Sequence, residues 1–252
     1  MDTQQMIISV LPAAGMGKRL NQPVPKLFVK LDDELRVINL LESNISDLVD
    51  ECCFVIRPDM VRDFQSFSSG KNSTFVIQET PRGMGDAIFC ASPKFDQYET
   101  LVIVWGDQVG ISQETLRAVL KDHEEIDAYC SIPLISTKFP YVHYAIDKSS
   151  GLVDILQSRE GSEMPIEGLA DIGVFVINTF NLKFFWNNYL QTSLVLGETT
   201  KEINFLPFLV YLAKEGLAMN FPRVQDSDEA LGLNTNEDLT KVRKYLLKKV
   251  NK

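Results

Sequence analysis

LPAAGMGKRLNQPVPKLFVKL, running from Leu11 to Leu31, is the stretch on which the reading of this chain turns. It follows a short apolar run, Met6 to Val10, expected as a buried strand. The strand empties into small residues, the glycines Gly15 and Gly17, and the adjacent cations Lys18 and Arg19; another cation, Lys26, follows Pro23 and Pro25. The glycines let the backbone turn tightly and bring consecutive N–H groups close to a ligand, which makes a concave anion site. Lys18, Arg19 and Lys26 add full positive charge. This chemistry points to a polyphosphate; the alternative is an ordinary strand-to-loop connection with solvated cations. Two other phosphate loops are excluded. The dinucleotide fingerprint needs a third glycine where Leu20 stands, and the Walker loop needs Ser or Thr where Arg19 follows Gly17-Lys18.

Composition narrows the partners. The 252 residues, 45% apolar and 23% charged, suffice for one large α/β domain or two small ones. A net charge of −9 argues against sequence-independent nucleic-acid binding. An acidic protein that binds a polyanion must gather its cations locally, as the loop does, and gains from a divalent metal. Cys52, Cys53, Cys90 and Cys130 form no C-x-x-C and are joined by only two histidines, so no zinc site is expected. Cys52 and Cys53, adjacent in a β-type run, are expected as buried thiols, and a reducing, cytoplasmic setting is the natural expectation. The N-terminus shows neither a cationic region nor a long apolar run, and no segment has the length of a membrane span. Oligomeric state is not legible.

Beyond the loop, periodicity alternates. Leu35 to Leu48 and Met60 to Phe67 have helical spacing, while Cys52 to Arg57 and Thr74 to Gln78 read as strands. Gln78-Glu79-Thr80-Pro81-Arg82-Gly83-Met84-Gly85-Asp86-Ala87 leaves a strand, turns through glycines and enters a helix reaching about Ala91. Exposed glycine backbone there suits a flat ring or an anion, or simply a strand–turn–helix join. Leu101 to Val104 is a buried strand that delivers Trp105, Gly106 and Asp107 at its carboxyl end. No lysine adjoins Asp107 in sequence, so its carboxylate suits a hard cation such as magnesium; capping of the next helix is the alternative, but Ser112 is the better cap. Gln113 to Glu124 reads as a helix and Ala128 to Leu134 as a strand. The expected fold is α/β: a Rossmann-like, mostly parallel sheet flanked by helices, with ligands at the carboxyl ends of the strands.

From Pro140 the pattern changes. Tyr141 to Asp147, Gly151 to Gln157 and Asp171 to Ile177 read as strands of an antiparallel addition, with a hairpin signal at Lys148-Ser149-Ser150-Gly151. A helix opens near Glu202-Ile203-Asn204, and Leu217 to Pro222 reads as a strand. The last motif, Ala230 to Leu239, enters the final helix with Thr235 and Asp238 as a capping-box variant. That explains Thr235 but not Asn234. One domain, 1–252, is expected, with one lobe of about 1–135 plus 225–252 and a second of about 136–224.

A-A-G-x-G-[KRST]-R-[LM], then P-K-x-L, then the segment from Gln78 to Ala87, then W-G-D, then G-L-N-T ahead of Asp238-Leu239, together resemble the sugar-phosphate nucleotidyltransferases. The resemblance implies that Leu11, Ala13, Ala14, Gly15, Met16, Gly17 and Lys18 embrace a nucleoside triphosphate, with Arg19 and Lys26 as the catalytic cations on its phosphates. It implies that Gln78 and the Gly83 backbone hold the base, with Pro81, Met84 and Asp86 beside them. Family members often have Thr where Met84 stands, which leaves the base open: uracil first, cytosine second. Asp107 and Asn234 correspond to the magnesium position. The antiparallel lobe is where the family binds its acceptor, so Trp105, Gln157, Arg159, Asp171, Glu202 and Asn204 are the acceptor-side candidates, with Arg159 suited to a phosphate. This half is only loosely similar to the N-acetylglucosamine-1-phosphate uridylyltransferases: a Glu near Gln157, an Asn near Asp171 and a Tyr at Trp105 are all changed. The implied reaction moves a nucleoside monophosphate from UTP, or second CTP, to a phosphorylated small molecule such as a sugar 1-phosphate and releases pyrophosphate. Alternatives are a cytidylyltransferase acting on a non-sugar phosphate and an inactive nucleotide-binding regulatory module. A nucleotide-sugar glycosyltransferase is disfavoured, because Asp107-Gln108-Val109 lacks a D-x-D.

Overall fold

A computed structural model describes residues 5–15, 17–149 and 151–250; Met16 and the side chain of Lys18 therefore lie outside the described part. In chain order the elements are β1 (Ile7–Pro12), α1 (Val37–Ile45), β2 (Glu51–Ile56), α2 (Val61–Phe67), β3 (Ser73–Ile77), α3 (Met84–Cys90), β4 (Thr100–Val104), α4 (Gln113–Ile126), β5 (Cys130–Ser131), β6 (Leu134–Lys138), β7 (Val142–Asp147), β8 (Gly151–Gln157), β9 (Glu167–Asp171), β10 (Val174–Asn178), α5 (Leu182–Tyr189), α6 (Leu206–Lys214), β11 (Met219–Asn220) and α7 (Asn236–Val250).

The main sheet runs β11-β5-β10-β4-β1-β2-β3. Its pairs are parallel except the two that β10 makes, with β4 and with β5. The expected α/β architecture is the one adopted. β1 and β4 are near-continuous apolar runs because both sheet faces are covered. Successive side chains go to opposite faces. Leu101 and Ile103 join the core under α3, α5 and α6, while Val102 and Val104 join the core under α1, α2, α4 and α7. Cys52 and Cys53 are buried in β2, and burial pushes their thiols up to about 12 and about 11. Among the described residues no helix is long and apolar enough to cross a membrane.

Two expected strands are realised differently. Ala128 to Leu134 shrinks to β5, because Pro133 has no N–H to give a ladder, and a new strand, β6, starts at Leu134. Asp171 to Ile177 is two strands in two sheets. It breaks at Ile172-Gly173, so that β9 pairs with β6 while β10 lies inside the main sheet. The range 136–224 therefore carries main-sheet strands β10 and β11 as well as the antiparallel pairs β6–β9 and β7–β8. The earlier strand ends follow the sequence reading to within two residues. Because β1, β2, β3 and β4 are mutually parallel neighbours, their carboxyl ends open at one edge, where ligands gather in such sheets.

Candidate active site

β1 ends at Pro12, and the chain leaves beside β2 with Ala13 N–H donating to Val55 O at 2.8 Å. Arg57, just past β2, reaches back and donates from Nη1 to the carbonyls of Ala14 (3.0 Å) and Gly15 (3.1 Å). Its other guanidinium edge is held by Asp59 at 2.9 and 3.0 Å. A planar trans peptide with its carbonyl fixed on Arg57 aims the N–H of Gly15 the opposite way. Ala13, Ala14, Gly15 and Gly17 line a cavity of about 250 Å³. Leu11 does not; it is fully buried in β1. Leu20 is buried too and anchors the single turn Lys18–Leu20.

Lys26 opens a second short turn, Lys26–Phe28, whose Leu27 and Phe28 are buried and fix its backbone. Its ammonium lies 2.8 Å from Asp107 Oδ2 and 3.1 Å from Asn234 Oδ1. Arg19 Nη2 donates to the same Asn234 oxygen at 3.1 Å. Asp107 thus has no lysine beside it in sequence but has one in space, supplied from 81 positions earlier. Asp107 follows β4, and Gly106 is required because strand ends crowd there: a Cβ at that position would sit 2.7 Å from Pro12 O. The segment carrying Asn234 is stitched onto the same strand end. Leu233 N–H donates to Asp107 O (2.8 Å), Gly110 N–H to Leu231 O (2.9 Å), and Gln108 Nε2 to Glu229 O (2.7 Å). Thr235 caps α7 by accepting from Asp238 N–H, and the Asp238 carboxylate accepts from the N–H groups of Thr235 and Asn234.

These contacts give a test of fit for magnesium. A carboxylate oxygen and an amide oxygen converge on a single cation, the Lys26 ammonium. Among the described residues no three acidic, His or Cys side chains are placed to hold a metal ion together, so the protein offers a partial shell. Magnesium accepts one or two such ligands when substrate phosphates complete its octahedron. The donor set fits that ion and does not fit zinc.

On the opposite wall, Gln78 follows β3 and is held by its own N–H on Ile56 O at 2.9 Å. Its side-chain Nε2 donates to Asp86 Oδ2 at 2.7 Å and more weakly to Gly83 O at 3.4 Å. Gly83 has φ of +125°, a conformation that disfavours a side chain, and a Cβ there would meet Ile203 O at 2.5 Å. Gly85 N–H donates to Ile203 O and Ile203 N–H to Arg82 O, so this loop is zipped to the chain around Glu202. Pro81, Gly83 and Met84 line the cavity with Gln78, whereas Asp86 stands one hydrogen bond behind it.

Of the acceptor-side candidates, Arg159 and Glu202 line the cavity and pair with each other. Arg159 also contacts Glu160 at 3.2 Å. Burial works against the charged form of Glu160, but the Thr200 hydroxyl, the N–H groups of Thr200 and Thr199, and Arg159 outweigh it and hold its carboxyl below the usual range. The other four candidates do not line this cavity. Gln157 and Asn204 are buried and spend their amides on each other at 3.0 Å, with Asn204 Oδ1 accepting from Leu206 N–H at the start of α6. Trp105 packs against Phe175 and Phe205. Asp171 accepts from Gly173 N–H (2.8 Å) and Tyr144 OH (3.0 Å); burial nevertheless pushes its carboxyl up. Gln157, Asn204 and Asp171 are thus hydrogen-bonded to neighbours, and Trp105 is held by ring packing. Arg57 was missed, although a cation directly after the strand next to β1 is a legible signal. Pro12, Leu27, Ala87 and Gly106, which also line the cavity, were missed because they contribute shape and no charge.

Comparison with known proteins bears on the family and the fold. Residues 9–164 match the MobA-like NTP transferase domain. The chain is 25% identical over 246 residues to the bifunctional protein GlmU of Buchnera aphidicola subsp. Schizaphis graminum, covering 95% of this chain and 51% of that protein. It is 23% identical over 241 residues to GlmU of Carboxydothermus hydrogenoformans, covering 93% of this chain and 52% of the relative. The chain thus spans about half the length of the curated relatives it matches. A UDP-glucose pyrophosphorylase solved with UDP-glucose superposes with a TM-score of 0.75 at 15% identity, covering 97% of this chain and 99% of the other, a likeness of fold.

Proposed function

The chain belongs to the MobA-like NTP transferase domain family, and from that premise we propose that it transfers a nucleoside monophosphate from a nucleoside triphosphate to a phosphorylated small molecule. The observation that carries this reading is the meeting of Lys26, Arg19, Asp107 and Asn234, from three distant stretches, beside the amide-lined loop. An oxygen of the acceptor phosphate attacks the α-phosphorus in line. The bond from that phosphorus to the bridging oxygen breaks, and pyrophosphate leaves with the electron pair. No covalent enzyme nucleophile is required; catalysis is positioning and charge neutralisation.

The loop amides and Arg19, with Lys18, take the β- and γ-phosphates. Lys26 exchanges its carboxylate partner for oxygens on the α-phosphorus, where charge develops. Asp107 and Asn234 would hold magnesium, which when bound neutralises phosphate oxygens. Gln78 and the Gly83 loop hold the base, with UTP first and CTP second. Arg159 meets the acceptor, for which a sugar 1-phosphate is the first candidate. A cytidylyltransferase acting on a non-sugar phosphate is the second reading, favoured by the acceptor wall itself: Glu202 already neutralises part of Arg159 and adds a carboxylate there. An inactive regulatory module has no need of the Lys26–Asp107–Asn234 convergence. The test is pyrophosphate release with magnesium, each of the four common ribonucleoside triphosphates, and a panel of sugar 1-phosphates and non-sugar phosphomonoesters. The reading expects acceptor-dependent release with a pyrimidine triphosphate. Release of inorganic phosphate alone, or none with any pair, overturns it.

A further inference from the structure

A glutamine amide has two ends of nearly the same size and opposite hydrogen-bonding character. Left free, Gln78 can turn its oxygen toward uracil or its NH2 toward cytosine, so the residue type alone does not choose a base. Its surroundings do. Gln78 lines the cavity although its relative exposure is only 3%. Its Nε2 stands 2.7 Å from a carboxylate oxygen of Asp86 and 3.4 Å from the carbonyl of Gly83. A carboxylate and a carbonyl only accept hydrogen bonds. Flipping the amide would set Oε1 against both, which replaces hydrogen bonds with acceptor–acceptor contacts in a buried place. Asp86 is itself held: Arg82 Nη2 lies 2.6 Å from its other oxygen, Oδ1.

We propose that Asp86 is a positioning residue that locks Gln78 with Oε1 toward the base, so that the site selects a base whose ring N–H lies between carbonyls, as in uracil, over cytosine. Uracil offers its N3–H to that oxygen. Cytosine presents an unprotonated N3 there and can meet Oε1 only through its exocyclic amine, which shifts the ring along its edge. The inference rests on the reading of this cavity as the nucleotide site.

Two variants test it in the full chain. In Asp86→Asn, Arg82 retains the side-chain oxygen, so the new NH2 faces Gln78 and reverses the amide. In Asp86→Ala the amide is free. Affinities for UTP, CTP and 3-methyl-UTP are measured with magnesium on single preparations, because a ratio of ligands is independent of the folded fraction. The wild type is expected to prefer UTP over both others by about tenfold or more. Both variants are expected to lose that preference, with Asp86→Asn moving toward CTP. A wild-type UTP preference that survives in both variants overturns the role of Asp86 and leaves the nucleotide-site reading standing. A wild-type preference for CTP also overturns the lock, while the pyrimidine reading stands. Purine preference, or no binding of any triphosphate, overturns the underlying reading itself.

Discussion

Truncating Lys26 to Ala separates what this side chain does for the fold from what it does for turnover. Its ammonium is bonded to Asp107 and Asn234, with side-chain exposures of 19% for Lys26 and 26% for Asp107. After truncation Asp107 still lines the open cavity and regains water, and Arg19 still donates to the Asn234 oxygen. The stability change should therefore stay near the range for partly exposed ion pairs, about 1 kcal/mol or less. On the proposed reading, the same ammonium in the reacting complex meets charge that develops at the α-phosphorus. Losing one such contact costs about 10²–10³ in rate, roughly 3–4 kcal/mol. The assay pairs a thermal melt with pyrophosphate release on the same preparation. A Tm within a few degrees of wild type together with at least a hundredfold drop in kcat is the expected result. Near-normal kcat would refute the catalytic role, and a collapsed melt would make Lys26 a structural residue.

Arg57→Ala removes the clamp on the carbonyls of Ala14 and Gly15 and should weaken triphosphate binding by about tenfold with little change in kcat; titration with UTP–magnesium checks it. Gly83→Ala places a Cβ at φ of +125° and 2.5 Å from Ile203 O, so it should lower stability by about 1–3 kcal/mol and loosen nucleotide binding, read from denaturant melts and titration. Glu160 has a folded-state pKa below its ordinary value of 4.5. Its carboxylate therefore stabilises the fold fully above that value, and the contribution is lost as pH falls through the lower folded value. Melts from neutral to acid pH should show Glu160→Gln less stable at neutrality and converging with wild type on acidification; parallel curves would refute the assignment.

The sequence made the sheet and the loops at its open edge legible because their signals are local. Apolar runs of strand length alternate with helical spacing, and the runs empty into small or polar residues at the open edge. The convergence of Asp107 and Asn234 came from motif resemblance and is realised through the stitching of Leu233 and Leu231 onto the β4 end. The acceptor side was harder, since polarity does not say which way a side chain points. Gln157, Asn204 and Asp171 look like ligands in one dimension, yet each is consumed by a buried neighbour. The break at Ile172-Gly173 was hidden by the apolar run after it, which continues as a strand of another sheet. Lys26 on Asp107 is a long-range ion pair that no local pattern announces.

The account stands most directly on a structure of the complex with UTP, manganese replacing magnesium so that anomalous scattering locates the ion. It predicts an anomalous peak between Asp107 and Asn234, the triphosphate along Ala13 to Gly17, Lys26 turned onto the α-phosphate, and the base against Gln78. A nucleotide bound elsewhere, or bound here with Lys26 still on Asp107 and no peak beside it, would contradict the central claim.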